Sequence, residues 1–195
     1  EWKTISTDCE SCAMGKYQNE NTLDSASCKF CEIGKKFIAT MTACGICDRG
    51  KYQNEITVAS VSCSFCANGT EFYNSTTSCK DCINGKYQHQ NDQPSVSCQQ
   101  CTVGKEWKTT STVCENCKEG KYQNQNNIDS AKCLFCSKGK SFVSQNALCI
   151  DCVKGKFQEQ DDEPSVICKA CAVARYSNTE AQTLSTVCKA CLAGR

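Results

Sequence analysis

The sequence predicts a small disulfide-rich, β-poor fold, an elongated rod of tandem cysteine-rich hairpin modules with a 35-residue period and almost no helix. Three observations predict it. The 22 cysteines form eleven Cys-x-x-Cys pairs with none left over, the pairs recur at constant spacing, and the chain carries too little apolar material for an ordinary core.

The apolar shortfall comes first because it demands a substitute. Val, Ile, Leu and Phe together number 31 of 195 residues, about 16%, a level typical of chains that cannot fold on burial alone. Cysteine makes up about 11%, which in a secreted chain reads as a covalent framework. Zinc is the rival, since paired Cys-x-x-Cys motifs also suit a four-cysteine site. Eleven pairs do not divide into twos, however, so zinc would leave one pair over. No cofactor or metal is expected.

Charge excludes other classes. Lys plus Arg is 22 against 21 for Asp plus Glu, with no long run of either sign, so a nucleic-acid face has no basis. No apolar run approaches a membrane span, and no leader pattern is present in this stretch. Secretion is expected to be specified outside it.

The repeat is read from Cys9, Cys44, Cys79, Cys114 and Cys149, which keep the 35-residue interval without insertion. Each period holds a long spacer of 15 residues and a short one of 12. The expected modules are 9–43, 44–78, 79–113, 114–148 and an irregular 149–187, flanked by 1–8 and 188–195 as parts of incomplete ones. The irregularity is the 16-residue spacer between Cys171 and Cys188. Residues 1–12, EWKTISTDCESC, match EWKTTSTVCENC at 106–117, which makes Trp2 part of a short spacer whose opening pair is missing. The stretch is accordingly expected to come from a longer array.

Within each long spacer a glycine stands three residues after the cysteine and an aromatic two residues later: Gly15 with Tyr17, Gly50 with Tyr52, Gly85 with Tyr87, Gly120 with Tyr122 and Gly155 with Phe157. Such a glycine marks positive φ or a close approach, and the ring is expected to cover a nearby disulfide. Ser25, Ser60, Ser95, Ser130 and Ser165 precede the returning cysteine by three residues, with Asn, Asp and Pro between, which reads as a small hairpin with a polar tip. Short spacers place the ring one residue later, in Gly34 with Phe37, Gly69 with Phe72, Gly104 with Trp107 and Gly139 with Phe142. In the irregular spacer Ala174 replaces the glycine while Tyr176 remains, and the backbone is expected to be perturbed there.

The expected bonds run in series: Cys12–Cys28, Cys31–Cys44, Cys47–Cys63, Cys66–Cys79, Cys82–Cys98, Cys101–Cys114, Cys117–Cys133, Cys136–Cys149, Cys152–Cys168 and Cys171–Cys188. Each would close one hairpin around its own glycine and aromatic, contributing on the order of 3 kcal/mol by chain entropy. Cys9 and Cys191 would then pair beyond the stretch. A crossed scheme, with Cys9 bonded to Cys28, stays open because connectivity is not encoded in spacing.

The string Cys-x-x-Cys-x-x-Gly-Lys-Tyr, followed by a polar hairpin and Ser-x-x-Cys, resembles the ephrin-receptor-like cysteine-rich repeat and the related modules of tumour-necrosis-factor receptors. The resemblance covers nearly the whole chain and implies an elongated, β-poor extracellular rod of the kind found in receptor ectodomains and very large surface proteins. Two departures separate this array from the receptor modules. It lacks their extra cysteines for a crossed pair of disulfides, and it lacks the proline after the second cysteine.

Candidate sites are few. A redox Cys-x-x-Cys needs a helix start beside a strand to lower its thiol pKa, and no such pattern is present. His89, the only histidine, replaces Asn19, Asn54 and Asn124 of sister repeats and reads as a hairpin-tip residue. Asp161, Asp162 and Glu163 lack the ordered ligand spacing of a calcium loop. Lys16, Lys51, Lys86, Lys121 and Lys156 recur every 35 residues and could form a basic stripe for an acidic glycan, although Glu20 and Glu55 dilute the charge. Asn68 and Asn74 head glycosylation sequons, expected to be occupied if the chain is secreted.

These features lead to an expected role as a non-catalytic structural component of an extracellular assembly such as a coat, a filament or a flagellar hair. Self-association through recurring Gln-rich, Lys-bearing faces is the expected interaction. The alternative is the ectodomain or stalk of a receptor or adhesin that binds protein or glycan.

Overall fold

The structure, a computed structural model, describes residues 10–22 and 25–192. Expectations placed on Trp2, Cys9 and the last three residues lie outside the described residues. The fold is disulfide-rich, with almost no helix and small antiparallel hairpins repeating about every 35 residues.

Four short spacers each form a hairpin of two-residue strands: β1 (Lys35–Lys36) with β2 (Gly45–Ile46), β3 (Thr70–Glu71) with β4 (Lys80–Asp81), β5 (Lys105–Glu106) with β6 (Glu115–Asn116), and β7 (Lys140–Ser141) with β8 (Ile150–Asp151). The fifth long spacer pairs β9 (Lys156–Phe157) with β10 (Lys169–Ala170), and the irregular spacer pairs β11 (Arg175–Tyr176) with β12 (Lys189–Ala190). Earlier long spacers make a single bridge at the same place, Tyr17 to Lys29, Tyr52 to Ser64, Tyr87 to Gln99 and Tyr122 to Leu134. A 3-10 turn at Ser185–Val187 is the one helical element among the described residues.

The disulfides run in series from Cys12–Cys28 to Cys171–Cys188, ten among the described residues. Their Cα atoms stand 5.5 to 5.8 Å apart, close to the spacing of a hydrogen-bonded antiparallel pair. Each bond therefore fits beside a hairpin ladder. Such a density of disulfides belongs to an oxidising environment.

The glycine after each Cys-x-x sits at the third position of a turn. In the first and third turns the amides of Lys16 and Lys51 donate to Ala13 and Asp48 at 3.1 Å, with Gly15 at φ 88° and Gly50 at φ 80°, the geometry of a type II turn. Ala174 corrects the expectation of a perturbed backbone. It adopts φ 63°, closes the same turn from Arg175 N–H to Ala172 at 3.0 Å, and accepts the Cys191 amide at 2.8 Å. Alanine is held where glycine would be relaxed, because the hairpin geometry over-determines the turn.

Two compact units divide the chain, one of Glu1–Ile83, Gln88–Cys98 and Thr110–Thr112, the other of Asn84–Tyr87, Gln99–Thr109 and Val113–Arg195. Both have cores of disulfide sulfur and one small apolar residue per repeat. In the first unit these are Val61 and Val96, and in the second Ala131 and Val166, all buried. In the second unit Ala131 packs with Cys101, Cys114, Tyr87 and Trp107, and Val166 with Cys136, Cys149, Tyr122 and Phe142. Trp107 and Phe142 thus cover the disulfides of their own short loops, as expected, whereas Tyr87 and Tyr122 of the long spacers cover the disulfide of the following short loop.

Candidate functional site: the seam between repeats

The recurring residues meet at a seam that joins one repeat to the next. Ser60 and Ser95 donate their backbone N–H groups to Gly15 and Gly50 at 3.2 and 3.3 Å in the first unit, and Ser130 and Ser165 donate to Gly85 and Gly120 at 3.2 and 3.5 Å in the second. Beside each serine the next residue accepts from a ring-bearing residue of the short loop between. Phe37 and Phe72 donate to Val61 and Val96 at 2.9 Å, while Trp107 and Phe142 donate to Ala131 and Val166 at 2.8 Å. The returning arms of these four long hairpins are therefore clamped to two upstream loops, and in the second unit the apolar side chain packs on the disulfide of the short loop, Ala131 on Cys101–Cys114 and Val166 on Cys136–Cys149.

Glycine is needed here for two reasons. The turn requires positive φ, and the arm lies so close that a methyl at Gly15, Gly50, Gly85 or Gly120 would come within 3.0 Å of the serine nitrogen. The serines themselves adopt φ between 52° and 55°, a left-handed conformation of modest cost at one residue. Gly155 has the same φ, 78°, but nothing lies within 4 Å of the methyl position.

The glutamine after each ring escaped sequence reasoning. Gln53, Gln88, Gln123 and Gln158 are buried, contrary to an exposed Gln-rich face at these positions. Each is sewn in by its backbone: Gln53 donates to Ser75 at 3.0 Å and accepts from Gly34 at 2.8 Å, and Gln123 donates to Gln145 at 2.9 Å and accepts from Gly104 at 2.7 Å. The side-chain amide holds the chain two residues on, as from Gln123 to the Gln125 carbonyl and from Gln158 to the Gln160 carbonyl, both at 2.7 Å. Its invariance as Tyr-Gln or Phe-Gln in all five long spacers was the available signal. Ser177 takes this place in the irregular repeat, its hydroxyl donating to the Thr179 carbonyl at 3.1 Å.

Three lysines of the expected basic stripe are occupied within the chain. Lys16, Lys51 and Lys121 lie over the rings of Phe30, Phe65 and Phe135 at 4.6, 4.4 and 4.3 Å, within cation–π range. Lys86 faces a repeat in which Gln100 replaces that phenylalanine, and Lys156 lies on β9. Asp161 is also committed, accepting the Lys138 amide at 2.9 Å and pairing with its ammonium at 3.5 Å. Asp162, Glu163 and His89 are exposed. No group of three or more His, Cys, Asp or Glu is arranged for a metal among the described residues.

Of the sequon asparagines, Asn68 is exposed in the turn before Gly69. Asn74 is half-buried, and its Oδ1 accepts from the backbone and hydroxyls of Thr76 and Thr77 at 2.9 to 3.0 Å. Its Nδ2, the atom a glycan would modify, takes no part in those bonds. Surface carboxylates show small electrostatic tuning. Hydrogen bonds from Lys35 and Lys108 hold Glu32 and Glu106 below the ordinary carboxylate range, and Ser185 does the same for Glu159.

A cleft of about 380 Å³ is lined by Phe157, Ala170, Ala172, Arg175, Ser185, Thr186 and Cys188. It contains no nucleophile beside a base. Cys191 is exposed and unbonded.

A scan against protein-family models finds no match, and a search of curated proteins finds none either. No helix among the described residues is long and apolar enough to cross a membrane.

Proposed function

We propose that this chain is a non-catalytic structural repeat region of an extracellular assembly, such as a coat, a filament or a flagellar hair. The observation that carries the reading is repetition of one seam: the same Ser-to-Gly and ring-to-arm bonds recur at Ser60, Ser95, Ser130 and Ser165. Residues that recur every 35 positions are consumed in joining neighbours, which is the economy of a quasi-one-dimensional scaffold. Chemistry-bearing groups are spent the same way: the glutamines are buried and three lysines are stacked. The kinship to ephrin-receptor-like repeats belongs to this proposal and rests on the Cys-x-x-Cys-x-x-Gly-Lys-Tyr motif alone. Secretion, and glycans on Asn68 and Asn74, belong to it too.

Electron microscopy of the purified native protein tests the reading. Bundles or polymers of regular pitch are expected. Particles that stay single at every concentration and ionic condition would remove the assembly and leave a receptor or adhesin stalk.

A further inference from the structure

Two Asn-Gly pairs occur in the chain, Asn68–Gly69 and Asn84–Gly85, and the fold holds them differently. Both asparagines are exposed and both glycines are buried at positive φ, 82° and 97°. Asn-Gly is the pair in which a backbone nitrogen most readily attacks the preceding side chain, because glycine has no Cβ to hinder the approach and turns freely about φ. The attack requires the glycine N–H to leave its partner and swing toward the asparagine Cγ.

At Gly69 that N–H is held. It donates to the Gln88 carbonyl at 2.7 Å, and the turn around it is closed twice on the Ala67 carbonyl, by the Thr70 amide at 3.1 Å and the Thr70 hydroxyl at 2.7 Å. At Gly85 neither the N–H nor the Asn84 side chain makes a hydrogen bond among the described residues. The carbonyls that follow are committed to the second unit. Gly85 accepts the Ser130 N–H at 3.2 Å, and Lys86 accepts from Trp107 Nε1 at 3.0 Å. A methyl on Gly85 would collide with the Ser130 nitrogen, so the arm lies directly on this stretch.

We propose that Asn84–Gly85 is a spontaneous deamidation site whose conversion to isoaspartate opens the Gly85–Ser130 seam as the protein ages. The Gly85 nitrogen gives its proton to solvent and bonds to Asn84 Cγ. The Cγ–Nδ2 bond breaks, the amide nitrogen takes up a proton and leaves as ammonia, and a five-membered succinimide remains. Water then opens one of its two carbonyls. Opening at Cγ gives aspartate, while opening at the α-carbonyl gives isoaspartate, whose main chain runs through Cβ and Cγ and is longer by a single atom. No oxidation state changes, and water is the only co-reactant. The added atom displaces the Gly85 and Lys86 carbonyls from Ser130 and Trp107. The reaction is independent of the assembly reading.

Incubation of the purified, oxidised full chain in mildly alkaline buffer tests the site, with protein made in a host that adds no N-glycans. Peptide mapping at intervals reads the amide-to-acid mass gain, and electron-transfer fragmentation separates isoaspartate from aspartate. Conversion at Asn84 should run about fivefold or more faster than at Asn68, the equivalent of the one hydrogen bond that holds Gly69. In the reduced, unfolded chain the two rates should converge, and Asn84→Gln should abolish the conversion because its larger ring forms far more slowly. Equal rates in the folded chain, or a faster Asn68, would overturn the site.

Hydrogen exchange tests the consequence. The isoaspartate form should exchange the Ser130 amide about fivefold or more faster, again the equivalent of one hydrogen bond, while the Ser95 amide of the first unit is unchanged. Freshly prepared Asn84→Asp, which carries the charge without the longer main chain, should keep Ser130 protected. Undiminished protection of Ser130 in the isoaspartate form would overturn the opening of the seam and leave the deamidation site standing.

Discussion

The amide of Ser95 donates to the carbonyl of Gly50 at 3.3 Å, joining two long hairpins one period apart. Gly50 stands at φ 80°, and a methyl on it would meet both Ser95 and Pro94 within 3.0 Å. Gly155 shares the φ, at 78°, and meets nothing. Gly155→Ala in dilute solution should therefore cost only the left-handed conformation, about 1 kcal/mol. Gly50→Ala should cost about 1–3 kcal/mol more, because the arm must shift. Denaturant midpoints of the two variants give the difference directly, and equal losses would mean that the seam contributes nothing.

Ala174 offers the opposite experiment. It is exposed and holds φ 63° in a turn that elsewhere has glycine. Ala174→Gly should stabilise the chain by about 0.5–1 kcal/mol, the relief of strain being partly offset by greater unfolded-state freedom. A lower denaturation midpoint would show that the turn does not strain alanine.

The buried glutamines should differ among themselves. Gln123 uses both ends of its amide, donating to the Gln125 carbonyl at 2.7 Å and accepting its N–H at 3.2 Å. The Oε1 of Gln158 is buried without a partner. Leucine at position 123 should cost about 1–2 kcal/mol, and leucine at 158 less, because the second change also removes an unsatisfied oxygen. Unfolding of Gln123→Leu and Gln158→Leu side by side checks the order.

Acid should weaken the protein only slightly. Glu32, Glu106 and Glu159 have folded pKa values below the ordinary carboxylate range, through hydrogen bonds from Lys35, Lys108 and Ser185 respectively. Their contribution is present above that range and is lost as pH falls through the depressed values, below about pH 4. All three are surface groups, so the loss is small. Denaturation midpoints between pH 2 and 7 should show a shallow decline in that acid window, reduced in Glu106→Gln. A steep collapse near neutrality would contradict it.

Much of this was legible in the sequence because covalent spacing is local. The period, the hairpins and the positive φ at Gly15 and Gly50 follow from Cys-x-x-Gly, since a short loop closed by a bond leaves few turns. The seam was not legible. Gly50 and Ser95 each recur, but nothing in one spacer says that its serine lies on the glycine of another, 45 residues away. Gln123 was hidden for a related reason, as a polar residue in a polar spacer gives no sign of burial until its neighbours arrive. Ala174 misled because propensity weighs a residue alone, while the hairpin around it fixes the turn.

Peptide mapping of the unreduced native chain tests the central claim most directly, since every seam depends on loops closed in series. Fragments joining Cys101 to Cys114 and Cys117 to Cys133 are predicted, with the remaining pairs in the same order. Crossed fragments such as Cys9 to Cys28, or stoichiometric zinc with free thiols, would contradict it.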